Sequence, residues 1–345
     1  MSFFNFIGRS LFFLILLFPS IWTSPIQAKE KHIIKFATLA PEGSSWMKSM
    51  RTLSNKIKKA TDGNVIFRFY PGGVSGDEID VIRKMRIGQL HGAGFTGVGL
   101  GQILPGVRVL DLPFLFDNDR EVEYVYSKMN SYFTDSYEDK GYILLGWVPV
   151  GWVHFFSQRP IRSVEDIRQS KPWIWEGDPL VESVYKGLGV QPIPLSITDV
   201  LLSLQTGMVN TVYASTQGAL ALQWFTKVQH ITRLRMGFAT GGVLISKKQF
   251  YKLSQPYQDK VRKIGAEFLP ELVQLIQNDN KKAHKVLEKN GVKWVALPDK
   301  KEMIRFQEAG ALARKTLAGK YFSTELLNEV LKHLQEFRKT NRNNK

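Results

Sequence analysis

Side chains that could do covalent, acid–base or metal chemistry are few and scattered in this sequence of 345 residues. Cysteine is absent, which excludes disulfides, thiolate zinc sites, iron–sulfur clusters and cysteine nucleophiles. The histidines are His32, His91, His154, His230, His284 and His333. No two of them have the spacing that places metal ligands on one helix face, and no HExxH, GxxxxGK[ST] or GxSxG motif occurs. The sequence therefore predicts that the protein is not an enzyme, and we expect it to bind no metal and no cofactor.

The aromatic residues offer a second kind of chemistry, the binding of apolar groups. Trp173 and Trp175 flank Ile174 in a short predicted strand, so the two indoles point to one face. Phe155 and Tyr213 lie in two other predicted strands. Two tryptophans on one face form either a core between domains or one wall of a pocket, since an indole offers a large rigid surface. Both interpretations stay open on the sequence alone.

The composition is that of a globular protein with one unusual value. Hydrophobic residues make up 43% and charged residues 23% of the chain, which excludes a disordered, fibrous or multi-span membrane protein. A length of 345 residues predicts about two domains. The 47 lysines and arginines exceed the 31 acidic residues and give a formal net charge of +16, which by itself indicates an anionic partner.

Residues 1–28 have the pattern of an export signal, and this bears on which anionic partner the net positive charge can indicate. Arg9 is their one charged residue, and the apolar run from Leu11 to Trp22 is shorter than the roughly 20 residues of a membrane span. The small residue Ala28 follows, so we predict a signal peptide cleaved after Ala28; the alternative is a buried N-terminal helix. A cleaved signal predicts a periplasmic protein, and we therefore expect no nucleic-acid partner.

Strand and helix patterns alternate along the chain after the signal. The first strands and helices are expected, in order, at residues 32–37, 45–61, 65–70, 76–87 and 90–96. This spacing predicts a parallel sheet with helical crossovers. Ligands of such sheets bind beyond the carboxyl ends of the strands, which makes Leu39, Glu42, Phe95 and Thr96 candidate site residues.

A second block of the same kind begins near Val153. Its strands are expected at residues 153–156, 173–175, 190–193 and 211–214, with an extended segment at 234–246. Its helices are expected at residues 180–188, 198–204 and 217–227. Residues 256–290 carry apolar side chains at helical spacing and predict one long helix, which Pro270 is expected to kink or split. A basic tail at residues 338–345 ends the sequence.

Several motifs, in the right order, resemble one known family. They are KFATLAPEGS at residues 35–44, YPGG at 70–73, DLPFLF at 111–116, LGVQPIPL at 188–195 and LQTGMVN at 204–210. Over roughly residues 33–289, the chain resembles the DctP-type solute-binding proteins of TRAP (tripartite ATP-independent periplasmic) transporters. The resemblance implies a small-molecule solute and TRAP membrane permease subunits as partners, with the inner membrane approached only through the permease.

The resemblance also implies an α/β fold of the Venus-flytrap type that is found in periplasmic binding proteins. Two domains would be joined by crossing strands, enclose a solute cleft and share a long helix, for which residues 256–290 are the candidate. We assign domain I to residues 29–152 plus about 238–275, and domain II to residues 153–237 plus about 276–337.

Two departures from the family pattern bear on the solute. Most members carry an arginine that grips the solute's carboxylate where this chain has Trp173, and an asparagine near the ligand where it has Ala214. Because burying a carboxylate without a partner is costly, we predict an apolar or amphipathic solute. The predicted cleft residues are Trp173, Trp175, Phe155, Tyr213, Phe95, Leu39 and Glu42, with Ser215, Gln217 and Thr96 as hydrogen-bonding candidates.

Two alternatives to an apolar-solute receptor stay open. In the first, the solute keeps a carboxylate and Arg159, Arg108 or Lys171 replaces the missing arginine. In the second, the chain is an exported enzyme or a non-transport scaffold, since a fold does not fix a function.

Overall fold

The computed structural model describes residues 31–342, so the predicted signal peptide and the last three residues of the basic tail lie outside the described part of the chain. The strands are β1 (His32–Thr38), β2 (Val65–Tyr70), β3 (Gly92–Thr96), β4 (Tyr142–Trp147), β5 (Gly151–Ser157), β6 (Trp173–Trp175), β7 (Ile193–Leu195), β8 (Thr211–Ala214), β9 (His230–Thr232), β10 (Gly237–Ala239), β11 (Gly241–Ser246) and β12 (Lys293–Val295).

The helices are α1 (Ser45–Ala60), α2 (Glu78–Arg86), α3 (Gly97–Ile103), α4 (Asp119–Asp139), α5 (Val164–Arg168), α6 (Pro179–Leu188), α7 (Val200–Thr206), α8 (Thr216–Ala221), α9 (Lys247–Phe250), α10 (Gln255–Lys289), α11 (Lys300–Leu317) and α12 (Thr324–Arg342). Short 3₁₀ helices lie at Pro105–Asp111, Ile197–Asp199 and Trp224–Thr226. Ser44, Asp77 and Asp178 cap α1, α2 and α6 with their side chains, which fixes where these helices begin.

The first sheet has the strand order β2–β1–β3–β11–β4. β1 pairs in parallel with β2 and β3, which confirms the parallel sheet predicted for the first three strands. β11 joins antiparallel between β3 and β4, although it lies about 150 residues further along the chain than β3 and about 100 further than β4. The carboxyl ends of β1 and β3 therefore lie at the same end of the sheet as the start of β11.

The second sheet has the order β10–β5–β9–β12, with β8 also paired to β5. β6 and β7 form a separate parallel pair beside it, and Pro172 bridges to Thr211 of β8. The predicted strand bounds are reproduced at 173–175 and 211–214, whereas the strand predicted at 190–193 lies at Ile193–Leu195. The α/β fold class with crossing strands is confirmed.

Two chain segments cross between the sheets side by side. One connects β4 to β5 and the other connects β10 to β11. The amide of Val148 donates to the carbonyl of Gly241 at 2.8 Å, and the amide of Val150 donates to the carbonyl of Ala239 at 2.9 Å. A Cβ atom at Gly241 would overlap the Val148 carbonyl oxygen, so this close approach requires glycine.

The long helix α10 contacts both sheets, as predicted. Leu269 and Leu272 belong to the apolar cluster of the first sheet, and Leu287 belongs to that of the second. The helix continues through Pro270, so the split allowed for in the prediction does not occur. Burial of Leu269 and Leu272 on either side of the proline supplies the packing that holds the helix together there.

Two helices differ from what the sequence predicts. The helix predicted at 217–227 ends at Ala221, because Gln223 adopts a left-handed backbone conformation with φ of 59°. α12 extends to Arg342 and takes in much of the predicted basic tail, since Arg338 pairs with Asp117 and Glu121 at 2.9 and 2.8 Å. α12 also packs against α4, on the side of the first sheet, whereas the predicted domain II runs to residue 337. The domain boundaries stay a prediction.

Candidate functional site

A cavity of about 170 Å³ lies between the two sheets, and we call it the first cavity. The segment around Thr96 and the 3₁₀ helix Pro105–Asp111 line it from the first sheet's side, and side chains of β5, β6, β8 and β10 line it from the second. A cavity of about 150 Å³ holds a benzene molecule. The first cavity therefore has room for a small aromatic or branched aliphatic group.

Aromatic rings form one wall of the first cavity. Trp173 is 1% exposed, stacks on Tyr213 with centroids 4.8 Å apart, and meets Trp224 edge-on at 5.3 Å. Its Nε1 donates to the Leu195 carbonyl at 3.0 Å, so the indole is fixed in one orientation. Trp173 is thus both a core residue and a cavity wall, and the two interpretations left open by the sequence both hold.

Arg108, which lines the first cavity, is paired with two carboxylates through its terminal nitrogens, and its buried Nε has no hydrogen-bond partner among the described residues. Its side chain is 6% exposed, and one guanidinium nitrogen lies 2.8 Å from each carboxylate oxygen of Asp178. A second nitrogen lies 3.1 Å from Asp111, whose pKa is raised by burial. A Cβ atom at Gly97 would overlap the Asp111 carboxylate, so glycine is required there. A solute carboxylate would have to compete with two resident ones for this cation.

Two acidic residues of α2 hold the walls of the first cavity in place. The buried carboxylate of Glu78 accepts hydrogen bonds from the backbone amide and hydroxyl of Thr96 and from the amide of Gly99, at 2.7–2.9 Å. Asp77 accepts from Trp175 Nε1 at 3.1 Å and from the Ser196 hydroxyl at 2.7 Å. The Asp77 bonds join α2, on the first sheet's side, to the segments around β6 and β7.

A second cavity of about 170 Å³ adjoins the first. The two share the lining residues Val150, Ile197, Ser215, Gly218 and Leu222. The second cavity is lined further by residues that follow β1, by Trp46 of α1 and Phe95 of β3, and by Ile276 and Asp279 of α10. Together the cavities form one cleft, which lies at the carboxyl ends of β1 and β3 as the sheet topology predicts.

The sequence model of the DctP family, described as bacterial extracellular solute-binding protein family 7, matches residues 36–318. This chain belongs to the DctP family. The resemblance drawn from the motifs is thereby confirmed. Within residues 31–342, no helix is long and apolar enough to cross a membrane, and no group of three or more acidic or histidine side chains is arranged to hold a metal ion.

This DctP-family chain is similar to solved and curated proteins that are named as solute-binding proteins. The sugar acid binding protein DctPAm from Advenella mimigardefordensis, in complex with galactonate, superposes with a TM-score of 0.83 at 23% identity over 89% of this chain and 99% of that one. A solute-binding protein of Chromohalobacter salexigens is 26% identical over 47% of this chain, and the ectoine/5-hydroxyectoine-binding periplasmic protein UehA of Ruegeria pomeroyi is 26% identical over 61%. These matches span 49% and 63% of the two relatives' own lengths.

The cleft of this DctP-family chain brings together nine of the ten predicted site residues. Trp173, Trp175, Phe155, Tyr213, Ser215 and Thr96 line the first cavity. Leu39, Phe95, Gln217 and again Ser215 line the second. Glu42 lines neither cavity, because it points to solvent and pairs with Arg51 at 2.5 Å. Whether the nine contact a solute stays a prediction.

The charged residues that line the cleft are not among the ten predicted site residues. Arg108 was named only as one of three possible substitutes for the missing arginine, and the three aspartates were not named as site residues. Of the three substitute cations, Arg108 lines the first cavity, whereas Arg159 and Lys171 are exposed and line neither cavity. Asp178 and Asp279 belong to no motif singled out in the sequence, and Asp111 begins the DLPFLF motif, which supported the family resemblance but did not mark a site residue. The one available signal was Asp178 directly before Pro179, which indicates a helix cap rather than an ion pair.

Two buried groups, Glu78 and His154, make the free energy of unfolding depend on pH in opposite directions. Burial raises the pKa of Glu78 from 4.5 to about 7, so its stabilising contribution is complete below pH 4.5 and is lost as the pH rises to about 7. Burial lowers the pKa of His154 from 6.5 to about 4, so its contribution is complete above pH 6.5 and is lost as the pH falls to about 4.

We therefore expect Glu78→Gln and His154→Gln to change the pH profile in opposite directions. On acidification from pH 6.5 to 4.5, Glu78→Gln should make the loss of unfolding free energy larger by roughly 2 kcal/mol, and His154→Gln should make it smaller by a similar amount. Urea denaturation across this interval measures both slopes. Parallel profiles for the wild type and both variants would show that neither group has the shifted pKa.

Proposed function

We propose that this chain is the periplasmic solute receptor of a TRAP-type secondary importer and that it delivers its solute to membrane permease subunits. Three observations support the proposal: membership of the DctP family, the fold shared with TRAP periplasmic solute-binding proteins, and a cleft between two sheets. The relatives are named as binding proteins rather than enzymes, and the residues that line the cleft include no histidine, cysteine or lysine.

The solute of the proposed receptor is apolar or amphipathic. The observation that carries this is the state of Arg108, whose charge is already balanced by Asp178 and Asp111, within a lining made mainly of aromatic and aliphatic side chains. Each apolar side-chain-sized group buried in such a lining contributes about 1.5–3 kcal/mol. Three such groups at the upper end of this range would contribute about 9 kcal/mol, which reaches the roughly 8.2 kcal/mol of micromolar affinity without a salt bridge to the solute.

A second candidate is an organic-acid receptor. Arg108 lines the first cavity, and solved relatives hold galactonate and β-D-galacturonate. In this case the acid would displace Asp178 or Asp111 from the guanidinium, and the displaced carboxylate would need protonation or a new partner. The cost of that exchange is the reason for ranking this candidate second.

Mass spectrometry of small molecules extracted from protein purified without refolding tests the proposal. We expect an apolar or amphipathic molecule at near-stoichiometric yield from the wild type. Gly218→Leu should lower that yield about tenfold or more, because Gly218 borders both cavities and leucine adds volume there; a Cβ atom at Gly218 would lie 3.1 Å from the Ser215 hydroxyl oxygen and 3.8 Å from the Ala214 Cβ.

Two control variants accompany this experiment. Ala266→Leu adds the same side chain at an exposed position of α10 and should retain the wild-type yield. Gly218→Ala adds only a methyl group at the cleft and should give an intermediate result. A small organic acid released by wild type but not by Gly218→Leu would replace the proposed solute class with the second candidate.

A further inference from the structure

We infer that the solute carries an amine or quaternary ammonium group and that this group binds in the second cavity beside Asp279. The inference rests on the proposed receptor function and adds the charge of the solute to it. The apolar part of the same solute would occupy the first cavity.

Asp279 is placed to receive such a group. Among the described residues that line the second cavity, it is the one titratable side chain. It is half-buried on α10, and within residues 31–342 its carboxylate makes no hydrogen bond and no ion pair. Lys281 and Lys282 follow it on the helix, and neither pairs with it. The carboxylate is therefore free to bind a cation.

The other walls of the second cavity suit a cation that carries apolar groups. Trp46 and Phe95 supply aromatic rings, and a Cβ atom at Gly94 would lie 2.6 Å from the Trp46 ring, so that ring lies against the β3 backbone. An ammonium group over an aromatic face is attracted by the ring's negative charge density. Asn280, next to Asp279, bonds to Thr216 and to the amide of Gln217 at 3.0 Å, which holds α10 against α8 at the cavity.

The charges of the residues that line the whole cleft also favour a cationic group on the solute. Of the described residues that line the two cavities, Arg108 is the one cation, and Asp111, Asp178 and Asp279 are the carboxylates. Arg108 is paired with two of them, which leaves Asp279 unbalanced. This acidic lining occurs in a chain with a formal net charge of +16, so it does not follow from the overall composition. A cation would complete an ion pair in the cleft, whereas an anion would meet an unpaired carboxylate.

Titration of the purified protein, after bound solute is removed by dialysis, tests the inference with three compounds. They are benzyltrimethylammonium chloride, neutral benzyl alcohol and sodium phenylacetate, and calorimetry gives each dissociation constant. We expect the ammonium compound to bind most tightly and phenylacetate most weakly. Asp279→Asn should weaken binding of the ammonium compound about tenfold and leave benzyl alcohol unchanged. Asp259→Asn, an exposed position on the same helix, is the matched control and should change neither.

The possible outcomes separate this inference from the proposed function. Equal affinity of all three compounds, or unchanged ammonium binding by Asp279→Asn, overturns the inference and leaves the apolar cleft standing. Tightest binding of phenylacetate overturns both the inference and the apolar solute class. If no compound binds, or if Gly218→Leu binds them all as the wild type does, the cleft is not the binding site and both proposals fail.

Discussion

Asp178→Ala is expected to lower the free energy of unfolding by about 3–5 kcal/mol, because it leaves the Arg108 guanidinium buried without its two-oxygen partner. The variant also removes the cap of α6, where Asp178 accepts from the amide of Leu180 at 3.1 Å. Chemical denaturation followed by tryptophan fluorescence measures the change. The Arg108–Asp178 ion pair joins the 3₁₀ helix Pro105–Asp111, beside the first sheet, to α6, beside the second sheet. Its loss should therefore also weaken the packing between the two sides of the cleft.

Matched variants separate the buried charge from other effects. Asp178→Asn keeps a capping oxygen but removes the negative charge, and should lose less than Asp178→Ala. The triple variant Arg108→Met with Asp111→Asn and Asp178→Asn removes all three buried charges, keeps the oxygens that accept from Thr240 and Leu180, and should recover most of the loss, since buried ion pairs are often replaceable by uncharged residues. Glu267→Ala breaks an exposed pair with Lys263 and should cost no more than about 0.5 kcal/mol. Equal losses from Asp178→Ala and Glu267→Ala would contradict the burial argument.

Trp173→Ala is expected to weaken the extracted solute's binding about 10- to 100-fold, which is about 1.4–2.8 kcal/mol, because it removes an aromatic wall of the first cavity. The same change should lower the free energy of unfolding by about 3–5 kcal/mol, since it opens a hole among Tyr213, Trp175 and Trp224. Calorimetric titration and denaturation measure the two effects separately.

A second tryptophan tests whether lost binding follows only from lost stability. Trp294 lies in β12 of the second sheet, packs on His154 and His284, and lines neither cavity. Trp294→Ala should therefore lower stability and leave solute affinity unchanged. Trp173→Phe, which keeps a ring but loses the bond to the Leu195 carbonyl, should retain most of the affinity. Comparable affinity losses in Trp173→Ala and Trp294→Ala would remove Trp173 from the site.

Much of the fold follows from local sequence. The strand at residues 65–70 and the pair of indoles at 173 and 175 have the predicted bounds, because alternating apolar residues and flanking turn residues act over a few positions. The long helix at Gln255–Lys289 departs from its predicted ends by one residue at each. The helix predicted at 217–227 ends early, at Ala221, because Gln223 has a left-handed backbone conformation. The spacing of apolar residues does not reveal such a conformation.

The sequence by itself determined the family, the fold class and most of the cleft's aromatic wall, since motifs and apolar periodicity are properties of short segments. The tertiary structure decided most of the electrostatics of the cleft, since only one of the two carboxylates paired with Arg108, that of Asp111, lies close to it in the sequence. Arg108 was a candidate cation in the sequence, but its partner Asp178 lies 70 residues away and no local pattern links them. In the sequence, Asp279 is likewise an ordinary acidic residue of a long helix, and only the packing of α10 shows that it lines the second cavity. Charge pairing depends on distances between remote segments, and only the packed chain sets those distances.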